Sequence, residues 1–186
     1  MTKDEVKQLV NEKLETGMNY AKAIHAVYNE LNSKENDKIA CHKGCGFCCR
    51  QVTPCSRIEW EEISKYLDDN DMRETILEKN KDTILEWQTY LKDNWSEIME
   101  NGQKPYNDWL GKKNCIFLDD DKSCSIHEVR PLICRVVTST SVCTSFTNPD
   151  ATIFRHEYER HLMELIWETG HSMSLIDLFT GLKDED

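Results

Sequence analysis

The sequence predicts a mainly α fold, with helices packed around a small, irregular, cysteine-rich centre that includes a short hairpin. Three observations predict it. Apolar residues recur every three or four positions through residues 2–33 and again through most of 56–99 and 149–182, the period of one helical face. Four of the nine cysteines crowd into Cys41-His-Lys-Gly-Cys45-Gly-Phe-Cys48-Cys49, where two glycines let the backbone bend tightly. Strand-like character is confined to a short stretch around Cys115–Ile126.

The elements follow in order. Thr2-Lys-Asp-Glu5 has the form of a capping box, and Val6, Leu9, Val10, Leu14, Met18, Ala21, Ile24, Val27 and Leu31 predict one helix behind it, up to a polar stop at Ser33–Asp37. After the cysteine stretch, Ser56-Arg-Ile-Glu59 resembles a second capping box, for a helix that turns Trp60, Ile63 and Leu67 inward. A third helix is expected from about Asp71 to Met99, with Met72, Ile76, Ile84, Leu91, Trp95 and Ile98 as its buried stripe and Asn101-Gly102 as its close. Lys104-Pro105 starts an irregular link that holds Trp109. Cys115-Ile-Phe-Leu118 and Ser123-Cys-Ser-Ile126 read as a hairpin around the acidic turn 119–122. His127–Arg130 suggests one helical turn, with Pro131 heading another. Thr138–Asn148 is rich in serine and threonine and reads as a loop. Asn148-Pro149 is a favourable helix start, and Phe154, Tyr158, Leu162, Leu165 and Ile166 give that helix its apolar face up to Gly170. A last amphipathic piece runs from Leu175 to Leu182. At 186 residues the expectation is a single domain over 1–186, with a cysteine-cluster core over 39–146 flanked by helices over 2–33 and 149–182.

Composition narrows the function. The chain carries 34 acidic and 23 basic residues for a net charge of −11, a field that repels phosphate backbones and anionic lipid. Neither nucleic acid nor membrane is therefore an expected partner. The opening Met-Thr-Lys-Asp-Glu-Val leads into no apolar run, and no stretch approaches the length of a membrane span, so a cytoplasmic location is expected. Thiols there stay reduced, and a dense cysteine pattern points to metal or redox chemistry rather than disulfides. Only 39% of residues are hydrophobic and mean hydropathy is −0.65, a lean core that a bound metal would help to hold.

The chemistry lies in two stretches. The first has the spacing C-x3-C-x2-C-C; the second holds Cys115, Cys124, Cys134 and Cys143, with eight or nine residues between neighbours. Thiolates are soft donors suited to zinc and iron–sulfur clusters, so all eight are candidate metal ligands. Adjacent side chains tend to diverge, which favours different metal positions for Cys48 and Cys49. Two four-coordinate sites and one larger cluster both fit eight thiolates. The plain alternative is buried cysteine acting as a small hydrophobe. Lys43, Arg50, Arg130 and Arg135 stand next to these cysteines and could offset thiolate charge. His42 and His127 are placed to touch the centre, although imidazoles that merely pack or face water are the simpler reading with so many thiols.

Ile39-Ala-Cys-His-Lys-Gly-Cys-Gly-Phe-Cys-Cys-Arg50, joined to Cys115-Ile-Phe-Leu118 and Cys124-Ser-Ile-His-Glu-Val-Arg-Pro-Leu-Ile-Cys-Arg135, resembles the YkgJ-type cysteine-cluster family, whose domain is described as chelating zinc or iron. Cys41, Cys45, Cys48, Cys49, Cys115, Cys124 and Cys134 match its motif position by position, and Cys143 resembles a further cysteine that many members carry. His127 stands where an aromatic residue is common. Cys55 falls where members usually have no cysteine and stays outside the ligand set. One branch, the flagellin lysine methylases, is thought to use an iron–sulfur cluster, which implies a redox or protein-modifying role.

Two rival motifs fit less well. Cys41-x3-Cys45-x2-Cys48 is also the spacing of radical S-adenosylmethionine enzymes, but those need alternating β/α units that this chain lacks. Cys45-Gly-Phe-Cys48 resembles a thioredoxin-type redox pair, which belongs between a strand and a helix. The resulting expectation is a metal-binding protein with zinc or an iron–sulfur cluster, leaning to iron–sulfur, in a redox or metal-handling role. An enzyme or enzyme subunit using the cluster, and a zinc-stapled module with a protein partner, are the alternatives.

Overall fold

The computed structural model of the protein describes residues 1–50, 53–101, 113–144, 151–170 and 172–181, with Ile98, Met99 and Asn101 described by backbone alone. The helical majority expected from the sequence is present. The Lys104-Pro105 link, Trp109 and the Asn148-Pro149 start lie outside the described residues.

The first expected helix is two, α1 (Lys3–Glu15) and α2 (Tyr20–Asn32). The predicted capping box closes α1, with the Glu5 N–H donating to Thr2 Oγ1 and the Thr2 N–H to Glu5 Oε2. Gly17, at φ +89°, then reverses the chain in the left-handed region, and Asn19 caps α2 through the Lys22 N–H at 3.0 Å. A continuous apolar period hid the break because α1 and α2 bury the same kind of face. Met18, read as part of that face, sits in the turn and is exposed.

A strand β1 (Pro54–Ser56) leads into α3 (Arg57–Asp69), where Ser56 and Glu59 form the second expected capping box. The third expected helix is also divided, into α4 (Arg73–Lys79) and α5 (Lys81–Asn101). Asn80 breaks it. Its Nδ2 donates to the Ile76 and Ile116 carbonyls, both at 2.9 Å, so the side chain ties the helix end to the Cys115 segment. Within α5 the fully buried aromatic is Trp87, whose Nε1 donates to Asp177, whereas Trp95 is exposed.

The expected hairpin reduces to a single bridge, Leu118 opposite Cys124, closed by an Asp119–Ser123 turn. A one-turn helix α6 (Ile133–Val136) follows Pro131 and runs into β2 (Val137–Ser139). That strand replaces part of the expected loop. It pairs antiparallel with β3 (Ala151–Ile153), and helix α7 (Glu157–Trp167) begins later than Asn148-Pro149 would have set it. The buried Glu159 accepts from the Arg155 and His156 N–H groups at 2.6 and 3.1 Å and fixes that start. Finally β4 (Ser172–Ser174) pairs antiparallel with β1, and α8 (Leu175–Thr180) closes the chain.

Two apolar clusters result. One joins α1, α2, α6 and α7 through residues such as Val10, Ile24, Val27, Leu132, Leu162 and Ile166. The other joins α3, α4, α5 and α8 through Ile63, Leu67, Trp87, Phe117, Ile126 and Phe179. The cysteine-rich segments lie between them.

Candidate metal centre

The two cysteine stretches meet through the backbone. The Cys115 N–H donates to the Cys49 carbonyl at 2.6 Å, and the Ala40 N–H donates to the Ser139 carbonyl at 2.8 Å. Residues 40–49 are thus clasped between the Cys115 segment and the end of β2. Gly44 makes the bend, at φ +88°, where a Cβ would also sit 3.7 Å from the Asp121 carbonyl oxygen. Cys48–Arg50 forms one 3-10 turn.

Five thiols, those of Cys48, Cys49, Cys115, Cys124 and Cys134, line one cavity of about 70 Å³ whose other walls include Phe117, Ile126, Ile133, Val137 and Leu175. Phe117, Ile126 and Leu175 belong to the second cluster, and Ile133 packs against the first. Cys48 and Cys49 face this same cavity, contrary to the expected divergence. In a helical turn successive side chains are only about 120° apart, close enough for both to face one space. The remaining three, Cys41, Cys45 and Cys143, form a separate outer group: the Cys45 and Cys143 thiols are hydrogen-bonded, Cys41 is near enough to act on Cys45 by charge, and the Ser139 N–H donates to Cys41 Sγ at 3.3 Å.

Charge and burial divide the inner thiols. The hydrogen bond from Cys49, helped by the Arg130 charge, lowers Cys48 to about 6, while the same bond raises Cys49 far above the usual thiol range. Burial pushes Cys115 up to about 12 and raises Cys124 and Cys134 as well. Metal binding requires the thiolate form, so loading a metal onto these thiols would release protons.

Of the four basic neighbours, only Arg130 lines the cavity. Its buried Nε has no hydrogen-bond partner among the described residues. Arg135 instead braces the loop, donating to the Arg130 and Glu128 carbonyls, and Arg50 bonds to Asn114. Lys43 is exposed. His42 bonds the Ala40 carbonyl through Nδ1 at 3.0 Å, His127 is exposed, and neither lines the cavity. Cys55 is a core residue of the second cluster, 1% exposed, and pairs with Met173 in the β1–β4 ribbon.

Sequence reading did not single out the residues that position the inner thiols. Glu59, 2% exposed, accepts from the Leu132 N–H at 2.7 Å, two residues before Cys134. Tyr28 donates its hydroxyl to the Arg135 carbonyl at 2.9 Å. The capping box was the only sequence signal for Glu59, and it points to the helix rather than to the centre.

Among the described residues no three His, Cys, Asp or Glu side chains stand close enough to hold an ion as they are. The five thiols ring a space rather than meeting at a point, and the space exceeds the roughly 30 Å³ of a water molecule. Soft donors, apolar walls and an unpartnered guanidinium nitrogen nevertheless fit a thiolate-bound metal or cluster, whose negative charge that nitrogen would meet.

No helix among the described residues is long and apolar enough to cross a membrane. No curated protein and no solved structure matches the chain. A family model, "CxxCxxCC: Putative zinc- or iron-chelating domain", matches residues 40–160, more than half of the sequence. The clasped cysteine segments all begin within that span, and the chain belongs to this family of metal-chelating domains.

Proposed function

We propose that this is a cytoplasmic metal-binding protein whose cysteine thiolates hold zinc or an iron–sulfur cluster, in a redox or metal-handling role. The observation that carries it is the inner cavity, ringed by five thiols and faced by the unpartnered Arg130 Nε. Cys48, Cys49, Cys115, Cys124 and Cys134 are the inner ligands; Cys41, Cys45 and Cys143 complete the set of eight. More than four thiols around one space favour iron–sulfur over a single four-coordinate zinc. A bound cluster would supply one-electron chemistry. The chain's own part is to exclude water with Phe117, Ile126 and Leu175, to offset charge with Arg130, and to hold the Cys134 segment through Glu59.

An enzymatic role is the second reading. A cleft of about 590 Å³ adjoins the centre at Gly46, Phe47 and Cys115 and is lined by Arg50, Lys79, Lys113 and Lys122 together with Asp119 and Asp120, both of which pair with Lys79. Anaerobic purification followed by iron, zinc and acid-labile sulfide analysis tests the main reading. Brown protein with iron and sulfide supports the cluster, colourless protein with stoichiometric zinc supports a zinc site, and metal-free folded protein refutes both.

A further inference from the structure

Charges on α4 and α5 are sorted by side. Arg73 turns to Asp68 and Ser64 of α3, Lys79 to Asp119 and Asp120, and Glu86 to Lys113. Glu74, Glu78 and Lys81 make no ion pair among the described residues, and all three rim one open groove of about 630 Å³. Ile84 forms its floor, 8% exposed. Leu77 on α4 and Leu85 on α5 line its banks, 40% and 61% exposed, and they are the exposed leucines among the described residues. The spacing is helical: Glu74, Leu77 and Glu78 share one face of α4, and Lys81, Ile84, Leu85 and Gln88 share one face of α5. None of these residues lines the cysteine centre. Exposed apolar side chains ringed by unpaired charge mark an interaction surface.

We propose that a second copy of this chain docks in the groove, related by a two-fold axis that runs along it. The α4 bank carries a leucine and two carboxylates; the α5 bank carries a leucine and an ammonium group. A two-fold along the groove exchanges the banks. Glu74 and Glu78 of each copy then face Lys81 of the other, and Leu77 faces Leu85. The patch is complementary to itself, in charge and in apolar character, and that favours a second copy over a foreign partner of one charge sign. Repulsion between two chains of net charge −11 acts at long range and is screened beyond about 8 Å at physiological ionic strength, whereas pairs in contact are screened much less. This inference is independent of the metal-binding reading.

Sedimentation equilibrium of the full chain at physiological ionic strength measures mass against concentration, under reducing conditions so that no cysteine cross-link forms. Wild type is expected to pass from 21.8 kDa to twice that mass as concentration rises. Leu85→Glu changes an exposed side chain outside both apolar clusters, so it keeps the fold, verified by far-ultraviolet circular dichroism, and stays monomeric. Lys81→Glu sets like charges opposite each other on both sides of the axis and weakens the dimer about tenfold. Adding Glu78→Lys restores most of the affinity, because exchanged banks carry exchanged charges. Wild type that stays monomeric overturns the proposal, and binding of a synthetic Leu/Lys amphipathic helix to that monomer would give the groove to a foreign basic partner. A dimer that survives Leu85→Glu is joined elsewhere and overturns it equally. Failure of the double variant to recover overturns the two-fold pairing of the banks.

Discussion

Glu59 is a carboxylate with almost no access to water, and it accepts hydrogen bonds from the Leu132 N–H at 2.7 Å, the Ser56 N–H at 3.1 Å and the Ser56 hydroxyl at 2.9 Å, with His25 Nε2 at 3.3 Å. Burial works to raise its pKa, but the bonds from His25, Leu132 and Ser56 outweigh it and hold the group below the ordinary 4.5. A depressed folded pKa contributes stability that is present above about pH 4.5 and is lost as pH falls through the folded value. Glu59→Gln would turn an amide N–H₂ toward Ser56 donors and should cost about 2 kcal/mol at neutral pH in urea titrations. The variant should also lose less stability than wild type between neutral and acid pH. Arg130 makes a second residue-scale prediction. Removing its guanidinium leaves thiolate charge without a counterpart, so Arg130→Gln should weaken metal retention about tenfold against a competing chelator while the helices persist.

At the scale of elements, two glycines separate fold from site. Both Gly17, between α1 and α2, and Gly44, in the cysteine loop, hold positive φ, +89° and +88°. A side chain meets strain in either place, and Gly→Ala should cost about 1 kcal/mol of stability at each. Only Gly44→Ala should also loosen metal, about fivefold, since its bend carries Cys45 toward its neighbours. Equal metal retention in the two variants would show that the bend is irrelevant to the centre. The helix interruptions follow a similar logic. Gly17 and Asn80 are legible as possible breaks, yet their flanking apolar periods run on without a shift, so periodicity alone joins α1 to α2 and α4 to α5. Only the packing of one helix on another, and the Asn80 bond to the Ile116 carbonyl, decide where the chain turns.

Over the whole molecule, the inner cavity takes walls from the second apolar cluster, with Phe117, Ile126 and Leu175, and from Ile133, which packs against the first. A metal group bound there would tie the clusters together and couple its binding free energy to folding. Metal held at a thousand times its dissociation constant contributes about 4 kcal/mol, which in a chain of this size is a shift on the order of 10 °C. Anaerobic chelation under reducing conditions should lower the melting temperature by that order. An unchanged melt after verified metal loss would mean that the two clusters stand without the centre.

The sequence by itself determined the helical class, both capping boxes, the apolar faces of α2, α3 and α7, and the two cysteine segments that the family match spans. These are local properties, set by the period of one element or the chemistry of one short motif. The partition of the thiols was a tertiary decision. Cys48 and Cys49 share a cavity because a single 3-10 turn presents both, and Cys143 leaves that cavity because β2 pairs with β3 and Ser139 clasps the Cys41 segment. Spacing along the chain cannot separate five thiols from three when the hydrogen bonds that clasp the Cys41 segment to Ser139 join residues about 100 positions apart.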